Sequence, residues 1–181
     1  MDILYHIRDF PFATNLNPNL YNTVQKNLIA SVNSGRDGYK SGGKRTHFNL
    51  HESDNKEINL LTTWINNLLP DVSRRFAFRD NEQKYECLYN INGFKIVSCW
   101  GIYYTHGQTV MPHNHFPFTL SFIYYVSLPK GSSPLKIENR TIKVKEGQCI
   151  FFLPHYYHGI KPNKSEGRCA IVGNILYSPP I

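Results

Sequence analysis

The chain lacks any run near the ~18 consecutive apolar residues that a membrane-spanning helix needs, and Met1 is followed at once by Asp2, His6, Arg8 and Asp9 rather than by an apolar leader. No membrane anchor or signal peptide is expected, and the expected compartment is the cytoplasm, the host's if the source is viral. No C-x-x-C pair occurs: the four cysteines, Cys87, Cys99, Cys149 and Cys169, are widely spaced within strand-like segments. That spacing predicts small buried thiols in a reducing compartment. No internal repeat, low-complexity segment or arginine-rich tail is present. Charged residues make up only 18% of the 181 positions against 41% hydrophobic and 14% aromatic, which excludes intrinsic disorder and leaves one globular domain over 1–181. The net charge of +7 favours encounter with anions. Its carriers, among them Arg36, Lys44-Arg45, Arg74-Arg75 and Lys161/Lys164, are scattered, which reads as a solvated basic surface rather than a nucleic-acid groove.

What is there divides near residue 85. The first part, 1–84, reads as a largely helical support. Asn17-Pro18 resembles a cap and first turn, with Tyr21, Val24, Leu28 and Val32 at helical spacing until Ser34-Gly35. A second helix is expected over 54–69, with a capping-box spacing at Asp54 and Glu57, an apolar stripe through Leu61 and Ile65, and Pro70 as its stop. Between them, 36–52 reads as a loop over a surface or a site mouth. From 85 the period becomes strand-like: Asn92-Gly93 predicts a hairpin joining 85–91 to 94–105, and strands are expected at 119–128, 135–138, 141–145, 148–153 and 168–177, with a turn at Asn139-Arg140. Short strands with Gly/Pro turns predict antiparallel sheets, most simply a jelly roll with helices outside.

Three of eight histidines form a spaced set: His113-Asn114-His115, then His158. Residues two apart in a strand point the same way, so His113 and His115 can offer imidazoles to one point, with the third from another strand. Three such ligands suit iron, zinc, copper or nickel and leave positions open. Surface histidines beside a hydrogen-bonded His158 are the competing explanation. His106 and His155 read as loop residues, and His6, His47 and His51 lie far off in sequence.

Several ordered segments carry a family likeness: Trp100 and Gly107 ahead of His113-Asn114-His115, Leu120 through Tyr125 followed by Pro129, Gly147 leading to Phe152-Leu153-Pro154, His158 with Pro162-Asn163, and Arg168 with Asn174. Gly38-Tyr39-Lys40-Ser41 and the second helix extend it towards the N-terminus. The chain resembles the double-stranded β-helix oxygenases that use iron(II) and 2-oxoglutarate, and most closely a group of small phage and marine-bacterial proteins of that type. The resemblance implies a cupin-like jelly roll holding Fe(II) through His113, His115 and His158. His115 stands where most of the superfamily has an aspartate or glutamate. It further implies that Arg168 pairs with the distal carboxylate of 2-oxoglutarate, with Asn174 as a further cosubstrate contact and no catalytic residue beyond the metal ligands. Strand parity, which puts Tyr104 on a face with Trp100 and Ile102 and Tyr125 on one with Ser121 and Ile123, offers these two phenol hydroxyls as cosubstrate contacts, with packing as the competing explanation. Ile102 stands where asparagine is frequent. Alternation places Arg168, Ala170, Val172 and Asn174 on one strand face, where an arginine without a partner would be costly.

The implied activity is hydroxylation of a peptide, nucleotide or small metabolite, with no membrane partner and a homodimer as one possible assembly. The basic segment 36–45 is placed to close over a substrate. Two alternatives keep the histidines. A cupin-type site without 2-oxoglutarate fits Gly107 ahead of His-x-His, but no glutamate follows within 116–121 and Arg168 has no task. The other is an inactive binding module with a basic surface. The letters H-N-H also invite a nuclease reading, which Pro117 and the β-rich 119–126 disfavour.

Overall fold

The structure is a computed structural model and describes residues 3–29, 42–77 and 93–178. In chain order the elements are β1 (Tyr5–Asp9), α1 (Ala13–Lys26), β2 (Lys44–Arg45), a 3-10 turn (Leu50–Glu52), α2 (Lys56–Ala77), β3 (Phe94–Tyr104), β4 (Val110–His113), β5 (Leu120–Ser127), β6 (Leu135–Ile137), β7 (Arg140–Ile142), β8 (Gln148–Phe152), β9 (His158–Ile160) and β10 (Arg168–Tyr177). They form two antiparallel sheets, one of six strands in the order β1-β8-β5-β10-β3-β2 and one of four in the order β4-β9-β6-β7. This is the expected jelly roll with helices outside it.

Period-2 alternation divides the six-stranded sheet into two working faces. Cys169, Ile171 and Ile175 of β10, with Phe122, Tyr124 and Phe151, turn outward and pack under Leu20 and Val24 of α1 and Leu61, Ile65 and Leu69 of α2. Gly101 permits the closest approach, since a Cβ there would lie 2.5 Å from the Val24 side chain. Ala170, Ile102, Ile123, Tyr104 and Tyr125 turn inward, towards Leu135, Ile137 and Ile160 of the second sheet. Cys99, Cys149 and Cys169 are buried free thiols in strands, and burial raises the pKa of each.

Several expectations need correction. Helix α1 begins at Ala13, not at Asn17-Pro18; Pro18 lies inside it and Asn17 is buried, accepting a hydrogen bond from the Tyr124 hydroxyl. Side-chain burial against β5 thus outweighs the local cap signal. Helix α2 is capped by Asn55, whose Oδ1 accepts from the Ile58 amide at 2.9 Å, and it runs through Pro70 to Ala77. A proline removes one amide donor, and buried Val72 and Ser73 beyond it hold the helix. Ser73 Oγ also donates to the Leu69 carbonyl at 2.6 Å. Arg140 belongs to β7, and the turn falls at Glu138, whose φ is 50°. Strands β1, β2, β4 and β9 are additions to the sequence reading, and β1 and β2 make the edges of the large sheet from the part read as helical. Helix α1 ends at Lys26, short of the expected Leu28. The predicted strand at 85–91, its Asn92 turn and Cys87 lie outside the described residues, as do Gly38 to Ser41 and the residues 30–34 expected in the first helix. No described helix is long and apolar enough to cross a membrane.

Candidate metal centre and anion pocket

The inner faces of the two sheets enclose a cavity of about 1300 Å³. Its histidines are brought together by register. His113 ends β4 and is the direct cross-strand partner of His158 in β9. His115 lies two residues past His113, where its amide donates to the Pro154 carbonyl at 2.8 Å. The three rings then cluster with centroids 4.4 to 5.1 Å apart, and one nitrogen from each lies within 4.8 Å of the others.

The second ring nitrogens explain how the first ones point. Nδ1 of His113 sits 2.9 Å from the Met111 carbonyl and Nδ1 of His158 sits 3.2 Å from the Tyr156 carbonyl. A carbonyl can only accept, so both Nδ1 atoms carry the proton and each Nε2 keeps its lone pair. His115 faces His113 through Nε2 at 3.2 Å, and its ring is within reach of the Asn174 side chain. A neutral His115 protonated at Nε2 donates to the His113 lone pair, and the other tautomer turns both lone pairs to one point that a cation can occupy. Nitrogens about 2.1 Å from one ion and at right angles stand about 3 Å apart, which matches this pair. Burial lowers the pKa of all three, His115 to about 4 and His158 well below its ordinary value. The rings are therefore neutral at pH 7, as ligation requires. The residues present fit a divalent metal.

Asn174 is anchored at both ends of its amide. Its Oδ1 accepts from Ser121 Oγ and its Nδ2 donates to Ser98 Oγ, both at 3.1 Å. Trp100 lies nearly parallel to the His115 ring with centroids 6.0 Å apart. The sequence reading missed Ser98; the alternation Ser98, Trp100, Ile102, Tyr104 along β3 would have found it, because all four line the cavity.

Arg168 opens β10 opposite Tyr104 and is 3% exposed. Among the described residues it has no carboxylate partner. Its guanidinium carbon lies 4.9 Å from the Tyr104 ring centre and 5.7 Å from that of Tyr125, while Nε and the buried Tyr125 hydroxyl have no hydrogen-bond partner among the described residues. Ring faces offset part of the charge's desolvation. Each orphaned buried polar atom still costs about 1–3 kcal/mol, so two donors side by side describe a site for an anionic oxygen. Burial raises the Tyr104 hydroxyl to about 12 and also raises that of Tyr125, so both remain protonated donors. Ile102 lines the same cavity as an apolar wall. His106 and His155 are exposed and outside it. His6 packs edge-on against Phe76 on the outer side.

No family model matches the sequence, and no curated protein matches it. Solved structures do. The chain superposes on the viral collagen prolyl hydroxylase of Paramecium bursaria Chlorella virus-1, solved as a complex with 2-oxoglutarate, with a TM-score of 0.68 at 16% identity over 94% of each chain. A prolyl-4-hydroxylase of Pseudomonas putida gives 0.70 at 12% identity over 97% of this chain and 94% of that one. An oxidoreductase of the 2OG-Fe(II) oxygenase family from Burkholderia pseudomallei gives 0.58 at 10% identity, covering 95% and 85%. The fold is the double-stranded β-helix. At these identities the likeness concerns architecture, and the chemistry has to be argued from the cavity itself.

Proposed function

We propose that the protein is an iron(II)- and 2-oxoglutarate-dependent oxygenase that hydroxylates a C–H bond of a peptide, nucleotide or small metabolite. The observation that carries this reading is the pairing, in one cavity, of three neutral imidazoles sharing a point with a buried arginine that lacks an anion. His113, His115 and His158 would hold the metal, and three protein ligands leave room for a chelating cosubstrate and for O₂. When bound, iron supplies the oxidation: one oxygen atom enters the substrate as hydroxyl and the other enters succinate as 2-oxoglutarate loses CO₂.

The chain's own contribution is placement. Arg168 presents a fixed fork to the distal carboxylate, and the Tyr104 and Tyr125 hydroxyls donate to the same group. Asn174, held by Ser121 and Ser98, keeps a second N–H and a second lone pair for the cosubstrate or for the His115 ring beside it. The apolar walls from Ile102, Ile123 and Phe152 exclude water from the centre. The cupin-type alternative leaves the Arg168 guanidinium without a purpose.

The test is an anaerobic titration of the iron(II)-loaded protein with 2-oxoglutarate, following the weak visible charge-transfer band of bidentate chelation. One metal per chain and a saturable band are expected. His113→Ala or His158→Ala should abolish metal binding. Metal bound without a band would leave a cupin-type site, and unchanged metal content in both variants would remove the metal centre altogether.

A further inference from the structure

The cavity's charge is one-sided. Among the described residues no aspartate or glutamate lines it, whereas Lys44 and Arg45 stand at its rim in addition to Arg168 inside. These two cations are built into the sheet edge: Lys44 pairs with Tyr103 and Arg45 with Ile102, and the Arg45 carbonyl accepts the Ile29 amide at 2.9 Å. A dianionic cosubstrate on Arg168 leaves the rim cations unanswered.

Aromatic rings stand beside them. The Arg45 guanidinium lies 4.1 Å above the Phe48 ring, and Phe48, 49% exposed, meets Trp100 edge-on at 4.8 Å. Since Trp100 in turn stacks on His115, a continuous line of flat groups runs from the rim to the imidazoles. Phe116, immediately after His115, contributes a second rim ring that is 76% exposed. Acidic side chains would answer the cations but would leave the exposed parts of the Phe48 and Phe116 rings without a partner. A planar base joined to a phosphate answers both, by stacking and by charge.

We propose that the prime substrate carries a nucleoside phosphate, whose phosphate seats at Lys44 and Arg45 and whose base lies against Phe48 and Phe116. This rests on the proposed function only in taking the cavity for the active site. Binding to these residues does not itself require 2-oxoglutarate.

The experiment uses the full chain and fluorescence anisotropy of a short fluorescein-labelled oligothymidylate, with thymidine 5′-monophosphate, thymidine and hexaglutamate as competitors. Saturable binding is expected, with about tenfold weakening in Phe116→Ala and in Phe48→Ala. A shallower salt dependence is expected in Lys44→Glu. The iron content and 2-oxoglutarate band of these rim variants should match the parent. Displacement by the monophosphate identifies a free nucleotide as the ligand, and displacement by unlabelled strand alone identifies a single strand; both support the proposal. No binding, displacement by hexaglutamate, equal displacement by thymidine, or unchanged affinity in the variants would overturn it. Failure of the 2-oxoglutarate titration, with probe binding intact, would instead count against the oxygenase reading alone.

Discussion

The two faces of the six-stranded sheet come from the same strands and do opposite work. Outward, β10 sends Cys169, Ile171 and Ile175 into an apolar cluster with α1 and α2, whose buried polar side chains Asn17, Thr62 and Ser73 all have hydrogen-bond partners. Inward, the same strand sends Arg168 and Asn174 into a cavity that holds polar groups without protein partners. The outer face stabilises the fold. The inner one gives up stability to keep a guanidinium with no carboxylate partner among the described residues, and clustered imidazoles, where a ligand can use them.

That division can be broken at several points. The largest effect is expected from Phe151→Ala, which empties a fully buried outer position; it should lower unfolding free energy by about 3–5 kcal/mol in a denaturant titration while metal affinity of the folded protein is unchanged. Loss of metal affinity in that variant would show that the faces are not independent. Arg168→Met should behave in the opposite way. Removing a buried cation without a carboxylate partner should leave stability unchanged or raised, while affinity for 2-oxoglutarate, measured by calorimetry on metal-loaded protein, falls about 10- to 100-fold. Asn174→Ala should weaken metal binding by about tenfold, read from competition with a chromogenic chelator, because the His115 ring loses the amide beside it.

The smallest expected effect is a pH dependence that belongs to the inner face alone. An unfolded chain's imidazoles titrate near 6.5, whereas burial holds His115 at about 4 and lowers His113 and His158 as well. Between those values the unfolded chain takes up protons that the folded site refuses. Stability of the metal-free protein should therefore decline as pH falls from about 6.5 towards about 4. Thermal unfolding of the metal-free chain across that window measures the decline, and His115→Ala should flatten it.

Much of the architecture was legible in alternation. β10 spans the residues 168–177 read as a strand, and the inward parity of Arg168, Ala170 and Val172 follows from the same period. Punctuation is the weaker signal: Pro18 and Pro70 have the local signature of helix boundaries, but each sits in a helix whose burial on both sides outweighs one missing hydrogen bond. Strands β4 and β9 are only four and three residues long, too short for a period to register, although their pairing makes the site. The Asn174 network was hidden for a different reason, since Ser98 and Ser121 lie far from it in sequence and meet it only across β3 and β5.

By itself the sequence determined which chemistry is available: His-x-His with a distant third imidazole, an arginine ten residues on, and alternating strands to carry them. Only the tertiary structure decided that His113 faces His158 across a strand pair, that Arg168 is enclosed with no carboxylate partner among the described residues, and that Asn174 lies beside His115. Local periodicity sets which face a side chain takes. Which faces oppose one another depends on strand register and on the packing of the two sheets, which are contacts between residues far apart along the chain.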